Sequence, residues 1–130
     1  MKILLDTQIF LWYILADKRL SKKHYHLISN NTNEVYLSAA SVWECCIKQQ
    51  IGKLHLPSNP AEYLLEKRSL HSCLSLSIDE SSLKHLLNLP LLHKDPFDRI
   101  LICQSIEKTF ILLTEDEKIL QYKHPALKFG

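Results

Sequence analysis

Residues 2–6 read K-I-L-L-D, and residues 110–116 read F-I-L-L-T-E-D. Each is a short apolar run followed by a carboxylate. Runs of this length with no internal charge suit strands buried on both faces, as in parallel sheets.

The segments between and around these runs fill in the rest. Residues 7–16 are apolar on nearly every side, as in a helix packed deep in a fold. Ser21 caps a helix to about residue 30, and 30–33 is a polar loop. Residues 34–38 (E-V-Y-L-S) form a second strand, and 39–51 a helix stopped by Gly52. Asn59-Pro60-x-Glu62 opens a helix to about His71. Leu74, Leu76 and Ile78 alternate with serines as a third strand. A helix over 79–89 ends at Pro90, and another spans 96–108. Thr114-x-x-Glu117 is a capping box for a short helix, and 126–129 adds an edge strand. Strands alternating with helices predict an α/β fold with a mostly parallel sheet covered on both faces. The chain shows no repeat, low-complexity tract or linker, so one domain over 1–130 is expected.

Composition narrows the function. At 130 residues and 46% apolar content the chain can bury a core, and disorder is excluded. Its two glycines, Gly52 and Gly130, cannot write a P-loop or a G-x-G-x-x-G turn, so the usual phosphate cradles are absent. The apolar stretch at 9–16 is too short to span a bilayer, and Asp6 interrupts any signal-peptide pattern. A cytoplasmic location is therefore expected. Cys45, Cys46, Cys73 and Cys103 lack C-x-x-C spacing, which argues against a zinc ribbon and for buried thiols.

The carboxylates carry the chemistry. In H-K-D-P-F-D-R at 93–99, Asp95 is a favoured N-cap with Pro96 at the first helical position. Asp98, in the first turn, suits the helix dipole. In parallel α/β sheets, sites form beyond the carboxyl ends of the strands. Asp6 follows the first strand, Asp116 follows the fourth, Glu44 lies on the helix leaving the second, and Asp98 opens the helix preceding the fourth. Each has a local reading: Asp6 a helix cap, Asp116 a first-turn dipole partner, Glu44 an i,i+4 partner of Lys48. Glu44 lies in apolar V-W-E-C-C, where an ionised carboxylate needs a partner or a metal. Converged, like charges about 5 Å apart repel by roughly 3 kcal/mol per pair at an effective dielectric near 20. Relief comes from separation, protonation or a cation. Oxygen donors favour Mg2+ or Mn2+, and such an ion suits phosphodiester hydrolysis.

With these residues in place the chain resembles the PIN-domain ribonucleases, in particular VapC-like toxins of type II toxin–antitoxin systems. The resemblance rests on L-L-D-T-Q-I-F-L-W at 4–12, V-Y-L-S-A-A-S-V-W-E at 35–44, G-K-L at 52–54, H-K-D-P-F-D-R at 93–99 and L-L-T-E-D at 112–116. It implies a three-layer α/β/α sandwich and a metal-dependent endoribonuclease that leaves a 5′-phosphate and a 3′-hydroxyl. It also implies an acidic set of Asp6, Glu44, Asp98 and Asp116. Asp6 and Asp98 would be the most direct metal ligands, with Glu44 and Asp116 completing the set. Thr7, Ser38, Asp95, Arg99 and Thr114 are placed around this site. Thr7 and Ser38 are read equally as turn or cap residues, and Asp95 as the helix cap. Arg99 has two open roles, approaching a substrate phosphate or pairing with a carboxylate. Two departures stand out: Gln8 where this branch often has histidine, and I-C-Q-S at 102–105 where it is alanine-rich.

The resemblance further implies a homodimer, an RNA substrate and a small antitoxin covering the site. Lys18-Arg19 and Lys22-Lys23-His24-x-His26 are the densest basic stretch, suited to phosphates or to a solvated helix face. Trp12 and Tyr13 belong either to the core or to an interface. The remaining histidines show no pattern. The rival function is a catalytically silent PIN-fold module that binds RNA or regulates, and the intact acidic set argues against it.

Overall fold

The computed structural model describes residues 1–130. A five-stranded sheet in the order β3-β2-β1-β4-β5 forms its centre. The strands are β1 (Lys2–Leu5), β2 (Glu34–Ser38), β3 (Leu74–Leu76), β4 (Ile111–Leu113) and β5 (Lys128–Phe129). Every pairing is parallel, with Ile3 opposite both Val35 and Ile111. The helices are α1 (Thr7–Ile14), α2 (Lys22–Ser29), α3 (Ala39–Gln50), α4 (Pro60–Leu70), α5 (Glu80–Leu83), α6 (Pro96–Lys108) and α7 (Glu117–Leu120).

Period-two alternation along the strands sorts side chains into two cores. Leu4 and Leu112 face Leu101, Ile102 and Ile106 of α6, with Ile119 of α7. Ile3, Leu5, Val35, Leu37 and Leu113 face Ile9 and Phe10 of α1, Ile28, Cys45 and Leu64. Helices thus cover both faces of an α/β sheet, as expected. All four cysteines are free; Cys45, Cys73 and Cys103 are buried and Cys46 is half-buried. No helix is long and apolar enough to cross a membrane.

From β1 the chain moves outward to β2 and β3, then returns to place β4 on the other side of β1. The carboxyl ends of β1 and β4 therefore flank a topological switch point, the usual ligand-binding crevice of such sheets. The Asp6 N–H donates to the Leu113 carbonyl at 2.9 Å and joins the two strand ends there.

Three local expectations are corrected. The third strand stops at Leu76, because its partner Ser38 is the last residue of β2 before α3 begins. The 79–89 helix is instead α5 followed by a 3-10 turn at Leu86–Asn88. Asp79 Oδ1 caps α5 through the Ser82 N–H and also binds the Ser81 and Ser82 hydroxyls, while Arg99 takes the Leu86 carbonyl at 3.1 Å. Asp79 thus starts α5, and Arg99 holds the first residue of the 3-10 turn. Finally, α7 is capped by Asp116, not Thr114: Asp116 Oδ1 accepts from the Lys118 and Ile119 N–H groups.

Candidate active site

A pocket of about 450 Å³ opens at the switch point. Its walls include Asp6, Thr7, Glu44, Lys48, His93, Asp95, Asp98 and Asp116. The four acids expected to converge do line one cavity, although they come from distant parts of the chain. β1 delivers Asp6, α3 delivers Glu44, the first turn of α6 delivers Asp98, and the segment after β4 delivers Asp116.

Hydrogen bonds separate the acids into constrained and free oxygens. Asp6 occupies the N-cap position of α1, but its carboxylate makes no capping bond. Instead its Oδ2 accepts from the Thr114 hydroxyl at 2.7 Å. The same Thr114 oxygen accepts from the Asp116 N–H at 3.0 Å, so one threonine positions two of the acids. Both oxygens of Glu44 are engaged: Oε1 accepts from the Thr7 hydroxyl at 2.8 Å and Oε2 from Lys48 Nζ at 2.5 Å. The i,i+4 ion pair read from the sequence therefore exists, inside the acidic pocket. Asp95 caps α6 by accepting from the Phe97 and Asp98 N–H groups at 2.8 and 3.3 Å, which fixes the turn that carries Asp98.

The electrostatics follow from this crowding. Burial raises the Asp98 carboxyl to about 8, reinforced by Asp6, Asp95, Glu44 and Asp116. Asp6 is raised to about 6, again chiefly by burial. The Thr114 hydrogen bond opposes that rise; the nearby Gln8 amide opposes it too, without completing a capping bond. Burial alone would lower Lys48, but its bond to Glu44 and the charges of Glu44, Asp95 and Asp98 outweigh it and raise the ammonium.

His93 is the residue that sequence reading missed. Its Nε2 lies 2.8 Å from Asp98 Oδ2 and 3.5 Å from Asp116 Oδ2, yet is a buried polar atom without a hydrogen-bond partner. Its Nδ1 accepts from the Asp95 N–H at 3.3 Å, so the neutral ring carries its proton on Nε2. In that tautomer His93 faces the acids as a donor, not as a ligand. The only available signal was its place two residues ahead of the Asp95 cap.

Two expected neighbours lie elsewhere. Ser38 is fully buried; its hydroxyl caps α3 and donates to Gln104 Oε1 at 2.7 Å, while Gln104 Nε2 donates to the Ser77 carbonyl. The I-C-Q-S departure thus supplies a polar tie between α6 and the ends of β2 and β3. Arg99 reaches neither the pocket nor a carboxylate. Its guanidinium donates to the Leu86, Pro90 and His93 carbonyls and the Tyr122 hydroxyl, pinning the loop that presents His93. In the basic stretch, Arg19 is bound to Asp17 at 2.7 Å, and buried His24 lies 3.1 Å from Glu115. Trp12 is half-buried and lines the pocket, with the Arg19 guanidinium 5.2 Å from its ring centre.

The donor set fits a hard divalent cation. One oxygen each of Asp6, Asp98 and Asp116 faces the cavity without a protein donor, and the nearest oxygens of Asp98 and Asp116 lie within 4.8 Å of each other, with the His93 ring beside them. Oxygen donors under mutual repulsion are the chemistry that Mg2+ or Mn2+ satisfies. Glu44, saturated by Thr7 and Lys48, holds the wall behind them.

A carboxylate-lined pocket at the switch point of a parallel α/β sheet defines the class of protein. The particular family follows from comparison: the PIN domain profile matches residues 3–125, and the chain belongs to the PIN domain family. No curated protein sequence gives a significant match. Among solved structures, the chain is similar to one in VapBC2 from Rickettsia felis bound to a promoter DNA fragment, with TM-score 0.68 and 16% identity over 100% of this chain and 98% of that one. A chain of DNA-bound VapBC from Salmonella typhimurium superposes with TM-score 0.65 and 14% identity, over 100% and 97% of the two chains. A chain of FitAB bound to an IR36 DNA fragment gives TM-score 0.56 and 17% identity, over 95% and 99%.

Proposed function

We propose that this chain is an Mg2+- or Mn2+-dependent endoribonuclease and the toxin of a toxin–antitoxin pair. The observation that carries the proposal is the convergence of Asp6, Glu44, Asp98 and Asp116 on one cavity, with Asp98 and Asp6 raised to about 8 and 6. A domain does not assemble mutually repelling buried carboxylates without a cation or a proton to relieve them.

Asp6, Asp98 and Asp116 would hold the ion, with Thr114 fixing the first and last of these. When bound, it polarises a phosphodiester oxygen and lowers the pKa of water at the site. Thr7 and Lys48 hold Glu44 oriented behind the cluster. His93 directs its Nε2–H toward the Asp98 and Asp116 side of the cavity. Lys53, exposed and lining the pocket, offers a cation to a substrate phosphate.

The partner half of the proposal rests on the similarity to chains from VapBC and FitAB assemblies. A cationic side chain from an antitoxin would relieve the same acidic cluster.

The test is cleavage of RNA by purified protein with Mg2+ or Mn2+, alongside Asp6→Asn and Asp98→Asn. Cleavage lost in both variants, with the folded spectrum retained, supports the proposal. Cleavage that persists in excess chelator overturns the mechanism.

A further inference from the structure

Tyr122, just beyond α7, is buried in the α6 layer of the core, yet its hydroxyl is fully engaged in polar contacts. It accepts from the His93 N–H at 2.9 Å and from Arg99 Nη1 at 3.2 Å, and lies 3.5 Å from the His93 carbonyl. Arg99 adds the Leu86 and Pro90 carbonyls, each at 3.1 Å. Tyr122 and Arg99 thus grip one loop from two sides, through its backbone alone.

The loop depends on these ties. Leu89 is buried, but Pro90, Leu91 and Leu92 after it are exposed, Leu91 to 76%. No buried apolar side chain anchors the chain between Leu89 and His93, so polar bonds decide where the His93 ring stands. That place matters to the acids. Thr114 holds one oxygen of Asp6, and the Lys118 and Ile119 amides hold one oxygen of Asp116. The Asp98 carboxylate completes no such bond; His93 Nε2, 2.8 Å from its Oδ2, is the polar group set against it. A carboxylate bounded on one side offers an ion a better-oriented oxygen than one free to swing. Neither Tyr122 nor Arg99 lines the acidic pocket, so a change at either reaches the acids through the loop and His93.

We propose that Tyr122 and Arg99 are positioning residues: they clamp the loop that ends at His93, set its ring against Asp98 and Asp116, and by that placement raise the affinity of the pocket for a divalent ion. This rests on the metal-dependent reading above and deepens it by naming the residues that tune the ion site from behind its wall.

The experiment titrates metal-free protein with Mn2+ by calorimetry, at fixed pH and well below the melting temperature of each variant. Tyr122→Phe removes one oxygen and no charge. It is expected to weaken Mn2+ binding by roughly tenfold, the lower end of the range for groups that orient a metal's ligands. His93→Leu is expected to lose as much, and His93→Gln, whose amide also offers an N–H, to keep most of the affinity. Adding Tyr122→Phe to His93→Leu is expected to cost nothing further, because the clamp acts through the ring it holds. Cleavage of RNA by Tyr122→Phe is expected to recover at high Mn2+ with KM for RNA unchanged. In metal-free Tyr122→Phe, amide exchange is expected to quicken over residues 91–94 and to stay slow in β1 and β4. Arg99→Lys keeps the charge but not the planar fork that reaches several acceptors, so it is expected to show the same loss, and it carries the test if Tyr122→Phe does not fold. Mn2+ affinity equal to the parent's in the clamp variant overturns the proposal, even with a lowered melting temperature, since the hydroxyl then serves packing alone. An additive loss in the double variant overturns it too. A parent protein that binds no Mn2+ defeats the metal-dependent reading itself, before any variant is compared.

Discussion

Glu44 shows how one residue can satisfy two readings at once. Its helical partner Lys48 was visible from the i,i+4 spacing, and its convergence with Asp6 and Asp98 from its place beyond a strand end. The structure contains both, with Lys48 bridging toward the cluster from the exposed side. Removing Lys48 leaves a buried carboxylate with one oxygen unpaired and increases repulsion within the cluster. Lys48→Met is therefore expected to destabilise the metal-free protein by about 1 kcal/mol, a figure reduced because the lysine is half-exposed. Urea denaturation measures it, and an unchanged midpoint would show that the pair contributes nothing. His93 and Thr114 were less legible at this scale. Their roles depend on a loop held by Arg99 and on a hydrogen bond across 108 residues, neither of which leaves a local pattern.

Among the elements, α6 was the most legible and the segment before it the least. Asp95, Pro96 and the apolar run after Arg99 state where a helix begins, and it begins there. The order of strands and helices was equally open, because buried parallel strands leave uncharged apolar runs. Boundaries failed where longer-range contacts enter: β3 ends with its partner strand, and the 79–89 helix gives way after Leu83 to a 3-10 turn whose Leu86 carbonyl Arg99 binds. The Asp95 cap also tests whether helix initiation serves the site. Asp95→Ala is expected to cost about 1 kcal/mol in stability. It should also lower cleavage, since the cap holds the turn bearing Asp98, and Asp95→Asn should restore most of the stability by accepting the same N–H groups. Full activity in Asp95→Ala would separate the cap from the site.

For the whole molecule, the shared pocket makes stability depend on pH. Asp98 and Asp6 have ordinary values of 3.8 and folded values of about 8 and 6. Between those limits the folded protein keeps protons that the unfolded chain has released. The folded state binds more protons, so stability falls as pH rises, from about 4 to 6 for Asp6 and from about 4 to 8 for Asp98. Metal-free protein is expected to be less stable at pH 8.5 than at pH 5 by on the order of 5 kcal/mol, measured by thermal or urea unfolding. Asp98→Asn should remove most of that decline. Mg2+ or Mn2+ should raise the melting temperature most at high pH, where the ion no longer competes with protons. A flat profile without metal would mean that the fold does not raise Asp98 and Asp6.

The thiols offer a clock for the opening of this structure. Burial pushes Cys45 up to about 12 and Cys73 and Cys103 up to about 11, so three sulfurs lack both the thiolate form and a path to reagent. They sit in different layers, Cys45 and Cys73 in the core shared with α1 and Cys103 on the α6 side. Alkylation of the native protein should stop after Cys46, and the rate at which the other three become modified reports when each face of the sheet comes apart. If Cys103 labels in step with Cys45, the two layers open together; if it lags, the α6 layer outlasts the other.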